Sequence, residues 1–255
     1  MAILIRNAYV FAPNELGATD VLMVGEKILA VGPNLSVSLP GLSVIDASGF
    51  LLVPGFVDPH VHVLGGGGVG GPITRAPAIT AGKLIRAGIT TVVGVLGADV
   101  MTRKLPDLLA KVRELNALGL SAWMYTSSFR YPPVTLSQSV ADDVALVSEV
   151  LGAKLAMGDA NGSFPSTEAV LGLLSQIRQA AVTVKKQGLL HVHLGAIPNP
   201  FDIFEEIAAT GFPIGRHLRP THCARTEFLL KSACAYAMQE SDRYIDITTD
   251  GPCYL

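Results

Sequence analysis

Six histidines occur in the chain, His60, His62, His191, His193, His217 and His222, few enough for their spacing to carry information. His60 and His62 form a His-x-His pair inside the run 56–63, whose composition is that of a strand. Side chains two apart on a strand project to the same side, so both imidazoles can reach one metal ion. His193 stands near the end of the run 189–195, and His222 near the end of the run 218–223. Imidazole nitrogen suits zinc, nickel and iron. A single buried histidine is commonly a hydrogen-bonded core residue, whereas four at the ends of three strands point to a metal site. His191 is read as structural, on the opposite side of its strand from His193. His217, near Arg216 and Arg219, is read as a surface or loop residue.

Lys154 lies in Ala153-Lys154-Leu155-Ala156-Met157, an otherwise apolar strand. An unpaired ammonium there is costly. Three readings are open. The lysine snorkels at the strand end or pairs with an acid; it forms a Schiff base with a carbonyl substrate; or it is carbamylated by CO2 and ligates metal. The neighbouring histidines favour the last, since a Schiff-base lysine has no need of His-x-His. The glycines Gly65 to Gly68 follow the His-x-His strand and let a ligand approach the backbone, so Gly67 is a substrate-binding candidate. No Gly-Lys-Ser/Thr follows, so this is not a phosphate loop. Cys223 adjoins His222 but faces the other way on its strand and is not a candidate nucleophile. Trp123 is expected in the core or the pocket lining.

The elements that must position these groups show two textures. Residues 1–55 carry short β-type runs broken by turns, with Gly25-Glu26-Lys27 placed like a hairpin loop, and predict a small β-sheet domain. Residues 56–255 alternate apolar runs (56–63, 90–96, 120–127, 153–159, 189–195, 218–223, 244–249) with segments of helical period. Leu105, Leu108, Leu109, Val112 and Leu115 follow one helix face, and Gly119 falls where a C-terminal cap belongs. Ser139 is the expected N-cap of another helix. Strand then helix, repeated, predicts a parallel sheet with right-handed crossovers. The predicted fold is therefore α/β, an incomplete (β/α)8 barrel of about seven units lacking strand 8. A doubly wound sheet is the alternative, but no G-x-G-x-x-G follows the first strand. In such barrels, strand C-terminal ends converge on the active-site face.

Composition narrows the function classes. Of 255 residues, 49% are hydrophobic and 16% charged, which excludes a disordered chain. Net charge is −2, so no basic field exists to hold nucleic acid. No stretch nears the roughly 20 apolar residues of a spanning helix, so no membrane partner is expected. Cys223, Cys234 and Cys253 form no CxxC pair, which suggests a reducing, cytoplasmic setting. The high apolar share fits a sheet covered on both faces, or surface hidden in an oligomer.

The segment Val53-Pro54-Gly55-Phe56-Val57-Asp58-Pro59-His60-Val61-His62 resembles the signature of the amidohydrolase superfamily. Within it, the glycine loop, Gly71-Pro72-Ile73-Thr74-Arg75-Ala76-Pro77, Ala87-Gly88-Ile89-Thr90-Thr91, Pro220-Thr221-His222 and Ile245-Asp246-Ile247-Thr248 are similar to the isoaspartyl (β-aspartyl) dipeptidase family. The resemblance implies two zinc ions, one on His60 and His62 and the other on His193 and His222. Carbamylated Lys154 and a hydroxide would bridge them. It implies that Arg225 grips a carboxylate of a small, dipeptide-like substrate, and it suggests a homo-oligomer. Four positions depart from the family pattern. Val69 replaces a glutamate, Ala98 a threonine, Phe129 a tyrosine and Asn161 an arginine. The family's strand-8 aspartate, which shuttles the proton, has no assigned counterpart. Thr249-Asp250-Gly251 matches strand 7, so Asp250 is not given that role and the catalytic acid is unknown. Two readings follow: an amidohydrolase acting on a peptide-like amide, or a truncated relative that binds metal without hydrolysis.

Overall fold

The computed structural model describes residues 1–248 other than 160 and 196. The chain divides into two units, Met1–Phe56 and Val57–Leu255. The first is a sheet of β1 (Ala2–Phe11), β2 (Glu15–Val24), β3 (Lys27–Gly32), β4 (Leu42–Asp46) and the short β5 (Leu51–Leu52). Its order is β3-β2-β1-β4, with β5 also paired to β1. Gly25, at φ 61°, opens the turn between β2 and β3, a conformation that glycine adopts without strain. Ala8, Val10 and Val21 form its small core.

The second architecture is a curled parallel sheet with helices, a partial (β/α) barrel. Its strands are β6 (Phe56–Val61), β7 (Ile89–Gly94), β8 (Ser121–Ser127), β9 (Val150–Met157), β10 (Leu189–Leu194) and β11 (Leu218–Thr221), in spatial order β11-β10-β9-β8-β7-β6. The helices are α1 (Ala81–Arg86), α2 (Leu105–Ala117), α3 (Val140–Leu146), α4 (Thr167–Thr183), α5 (Asp202–Ala209), α6 (Ile214–His217) and α7 (Glu227–Gln239). Helix α2 buries Leu105, Leu108, Val112 and Leu115, the face its spacing predicts. Gly119 follows it at φ 91°. Ser139, Ser166 and Thr226 each accept a hydrogen bond from the backbone three residues on and so start α3, α4 and α7. The core joins these apolar helix faces to Val92, Ala122, Met124, Leu155, Val192 and Leu194 of the strands. Among the described residues, no helix is long and apolar enough to cross a membrane.

Two expectations change here. Residues 244–248 do not form the expected seventh strand. They only begin to pair: Asp246 N–H donates to Pro220 O at 2.9 Å, and Cys223 N–H to Asp246 O at 3.1 Å. The backbone of Thr248 meets the His222 ring instead of extending a ladder. Thr249 and Asp250 lie outside the described residues. Trp123 is not a core residue. It is 36% exposed on β8, its indole N–H bonded to the hydroxyl of Ser121.

Buried polar hubs stiffen the loops between elements. Asp143 on α3 is inaccessible and accepts from Leu136 N and Ser137 N, both at 2.8 Å, and from the hydroxyls of Ser137 and Thr126. It thereby ties the loop before α3 to the end of β8. Lys186 donates to the carbonyls of Val144, Val147 and Val150 at 2.7–2.9 Å and caps the exit from α3 into β9.

Candidate metal centre and ligand cavity

Five imidazoles and one lysine meet at the C-terminal ends of β6, β9, β10 and β11. Period-two alternation turns His60 of β6, Lys154 of β9, and His191 and His193 of β10 toward the sheet's inner side. His191 sits opposite Lys154 in the β9–β10 register, and His193 opposite Thr221 in the β10–β11 register. His60 Nδ1 and His191 Nε2 are 2.8 Å apart, and His60 Nε2 lies 3.1 Å from Lys154 Nζ. The ring centroids of His60 and His62 are 5.4 Å apart, those of His60 and His222 5.0 Å, and those of His193 and His222 4.4 Å. The sequence-predicted set His60, His62, Lys154, His193 and His222 is thus brought together. Lys154 is fully buried, so the snorkelling reading fails.

His191 corrects the sequence reading. Residues two apart share a face, so His191 points inward with His193. It bonds His60 and stacks on Tyr125, rings 5.0 Å apart and 6° from parallel. His217 is also corrected: it is buried at the end of α6, its Nδ1 2.8 Å from the carbonyl of Gly188. Cys223 is buried, and burial pushes its thiol up to about 12, which leaves no thiolate for attack.

His222 adopts φ 63°, a left-handed conformation uncommon for a side chain of this size. Its Nδ1 lies 2.8 Å from Thr248 O, which turns Nε2 toward the other rings. Such strain persists only where the surroundings hold it, and it clusters at functional sites.

Electrostatics favour the uncharged form of three imidazoles, His60, His191 and His193. Burial is the largest cause lowering His60 and His191 well below the usual histidine value, with Lys154 and the neighbouring rings adding to it. Burial likewise lowers His193 to about 3, assisted by His222 and Arg225 and opposed by its hydrogen bond to Asp159. A neutral imidazole keeps the lone pair that a metal ligand needs. Beside them, the buried hydroxyls of Ser127 and Thr221 have no hydrogen-bond partner among the described residues. Ser127 pairs with Lys154 in register, so these hydroxyls offer polar contacts at the same point. Donor chemistry and these hydroxyls therefore fit a borderline metal ion. Among the described residues, no group of three or more His, Cys, Asp or Glu stands in position to hold an ion. The rings meet one another, Lys154 and Asp159.

A cavity of about 340 Å³ opens beside the cluster. His62, His193 and His222 line it, with Gly67, Gly97, Val69, Ala98, Phe129, Asp159, Asn161 and Arg225. Both substrate-binding candidates, Gly67 and Arg225, thus border it, as do all four departing positions. Asp159 just beyond β9 escaped the sequence reading. One of its oxygens takes His193 Nε2 at 3.1 Å and Arg225 Nη1 at 3.4 Å, and the other accepts from Asn161 N–H at 3.0 Å. Burial opposes its charge, but the Asn161 N–H, His193 and Arg225 together hold its pKa below the ordinary carboxylate value. Its place after a strand C-terminus was the available signal.

The loop at the cavity mouth is fixed by Arg103, also missed in the sequence. Its guanidinium donates to Leu64 O at 3.0 Å, Ala76 O at 2.8 Å and Gly66 O at 3.4 Å, and pairs with Asp99. A Cβ on Gly67 would run into the carbonyl of Thr74, so only glycine fits there. A Cβ on Gly97 would stand 2.8 Å from His62 Cε1, so this glycine makes room for the imidazole.

No family model matches the chain. Its structure is similar to the β-aspartyl dipeptidase of Fervidobacterium islandicum AW-1, at TM-score 0.89 and 39% identity, over 93% of this chain and 65% of that one. The same enzyme solved with a β-Asp-Leu dipeptide matches at TM-score 0.88 and 38% identity. In sequence, a dihydroorotase of Staphylococcus epidermidis is 29% identical over 190 residues, 74% of this chain and 41% of that protein. A D-hydantoinase structure at TM-score 0.64 and 17% identity shares the fold. The chain therefore resembles β-aspartyl dipeptidase within the amidohydrolase superfamily, and it spans less than two thirds of the length of these relatives.

Proposed function

We propose that the protein is a metal-dependent amidohydrolase of the β-aspartyl dipeptidase type, hydrolysing a peptide-like amide bond. The observation that carries this reading is the cluster of imidazoles around buried Lys154, next to a cavity bordered by Arg225. The likeness to the Fervidobacterium dipeptidase and to a dihydroorotase supports it.

His60 and His62 would hold one zinc ion, His193 and His222 a second, and Lys154, once carbamylated, both. Carbamylation would join CO2 to the neutral lysine amine with release of one proton; counted from the ammonium, two protons leave and a buried cation becomes a carboxylate. Bound zinc lowers the pKa of water to near neutrality and polarises a carbonyl, and so supplies the nucleophile and the electrophile. The chain's own residues do the rest. Arg225 presents a guanidinium to a substrate carboxylate, a pairing that fixes orientation as well as charge. Asp159 braces Arg225 and His193 through one oxygen and so couples the substrate grip to a metal ligand. The Phe129 ring packs 4.4 Å from that of His193 and 5.3 Å from Lys154 Nζ, an apolar wall beside the cluster. His191 holds the His60 ring from behind.

A second reading rests on one observation. Asp159 is the only acidic side chain among the described residues lining the cavity, and it is already engaged. A site with no further acid to move the proton would bind metal without turnover. Zinc content by mass spectrometry, together with hydrolysis of β-aspartyl dipeptides and simple amides, separates the two. About two zinc ions per chain and activity lost on chelation support the hydrolase. Zinc without turnover supports the second reading. Absence of zinc in the presence of bicarbonate overturns both.

A further inference from the structure

The cavity's described lining holds one side chain of each charge. Arg225 is a cation, and Asp159 is the one carboxylate among the described lining side chains. That carboxylate is spent inside the protein, on Arg225, His193 and the backbone of Asn161. Opposed to these, Val69, Ala98 and Phe129 offer only hydrocarbon. A ligand ammonium entering here would lose water without gaining an anionic partner. A second ligand carboxylate would find the neutral amide of Asn161 in place of a cation.

We infer that this site takes a singly charged amide, with one carboxylate for Arg225 and no free ammonium. The chemical class is a mono-amide of a short dicarboxylic acid, succinamate-like, whose amine portion is neutral and apolar. The inference rests on the proposed amidohydrolase reading and deepens it by naming the substrate class. It also separates this chain's specificity from that of a dipeptide with two carboxylates and an α-amine.

Two ligands of matched shape test it. β-Aspartyl-leucine carries the ammonium and two carboxylates. N-(3-methylbutyl)succinamate is the same skeleton without the ammonium and without the leucine carboxylate. Binding of each to the zinc-loaded full chain is measured by calorimetry, and product amine is followed in parallel. The succinamate is expected to bind about tenfold tighter or more, the order by which a site rejects a polar group it cannot pair. Val69 is 65% exposed, so Val69→Glu leaves the core untouched while placing a carboxylate on the apolar wall. That variant is expected to shift the ratio about tenfold toward β-aspartyl-leucine, and unchanged unfolding of the variant shows that the shift is one of recognition. Equal or tighter binding of β-aspartyl-leucine by the parent overturns the inference and leaves the hydrolase reading standing. Tight succinamate binding without cleavage upholds the inference and removes the hydrolase reading. No binding of either ligand overturns both.

Discussion

Replacing Arg103 by methionine tests whether the mouth of the site is built on one buried cation. The side chain is 10% exposed and so is its partner Asp99. Methionine keeps the aliphatic bulk but removes the ion pair and the donors to Leu64, Gly66 and Ala76. Each hydrogen bond to a charged group contributes about 1.5–3 kcal/mol. Breaking a buried pair while leaving its partner charged costs about 3–5 kcal/mol. These overlap, because one loop collapse releases all four contacts, so a loss of about 3–5 kcal/mol is expected. At about 2–4 °C per kcal/mol for a unit of this size, Tm falls by about 6–20 °C. Urea unfolding followed by fluorescence of Trp123, the chain's single tryptophan, reads the barrel directly. Arg103→Lys keeps the charge but lacks the planar fork that reaches three carbonyls, so it is expected to recover only part of the loss. A loss below about 1 kcal/mol for Arg103→Met, or complete rescue by lysine, would refute the reasoning.

Three further outcomes follow from the same geometry. His60, His191 and His193 are held uncharged in the folded state, with values below that of an unfolded histidine near 6.5. The unfolded chain therefore binds more protons as pH falls below about 6.5. Metal-free protein should lose up to about 1.4 kcal/mol per pH unit for each histidine, most clearly between about pH 6.5 and 5, where carboxylates contribute least. Urea midpoints unchanged across that interval would contradict the burial of neutral rings. Lys186→Met strands the carbonyls of Val144, Val147 and Val150 and should cost about 2–3 kcal/mol, read as a lower unfolding midpoint with an unchanged slope. Gly97→Ala pushes a methyl against the His62 ring and should weaken zinc binding about tenfold or more in competition with a chelator; wild-type zinc affinity would show that His62 is not seated by Gly97.

Much of this protein was legible from local pattern. Hydrophobic period separated β2 and β3 with their glycine turn from the strand–helix rhythm that follows, because side-chain period is a property of a few consecutive residues. The His-x-His spacing put His60 and His62 on one side of a strand, and the strand ends marked His193 and His222, since barrel topology sends all such ends to one face. Lys154 stood out because an ammonium in an apolar run demands a reason. The same parity rule puts His191 on the face of His193, where the structure has it.

Only the tertiary structure decided which groups neutralise one another. Asp159 is an ordinary acid in the sequence; its meaning comes from meeting His193 and Arg225, 34 and 66 residues away. Arg103 acquires its role only when Leu64, Gly66 and Ala76 present their carbonyls, and a backbone carbonyl leaves no trace in side-chain identity. The seventh run read as a strand from its composition, yet it pairs only at Asp246, since ladder formation depends on a neighbour's position and not on propensity alone. Sequence determines which side chains face inward, because that follows from chain geometry. Charge pairing and burial depend on groups distant along the chain, so the state of each imidazole and the charge of the cavity wall are settled only in three dimensions.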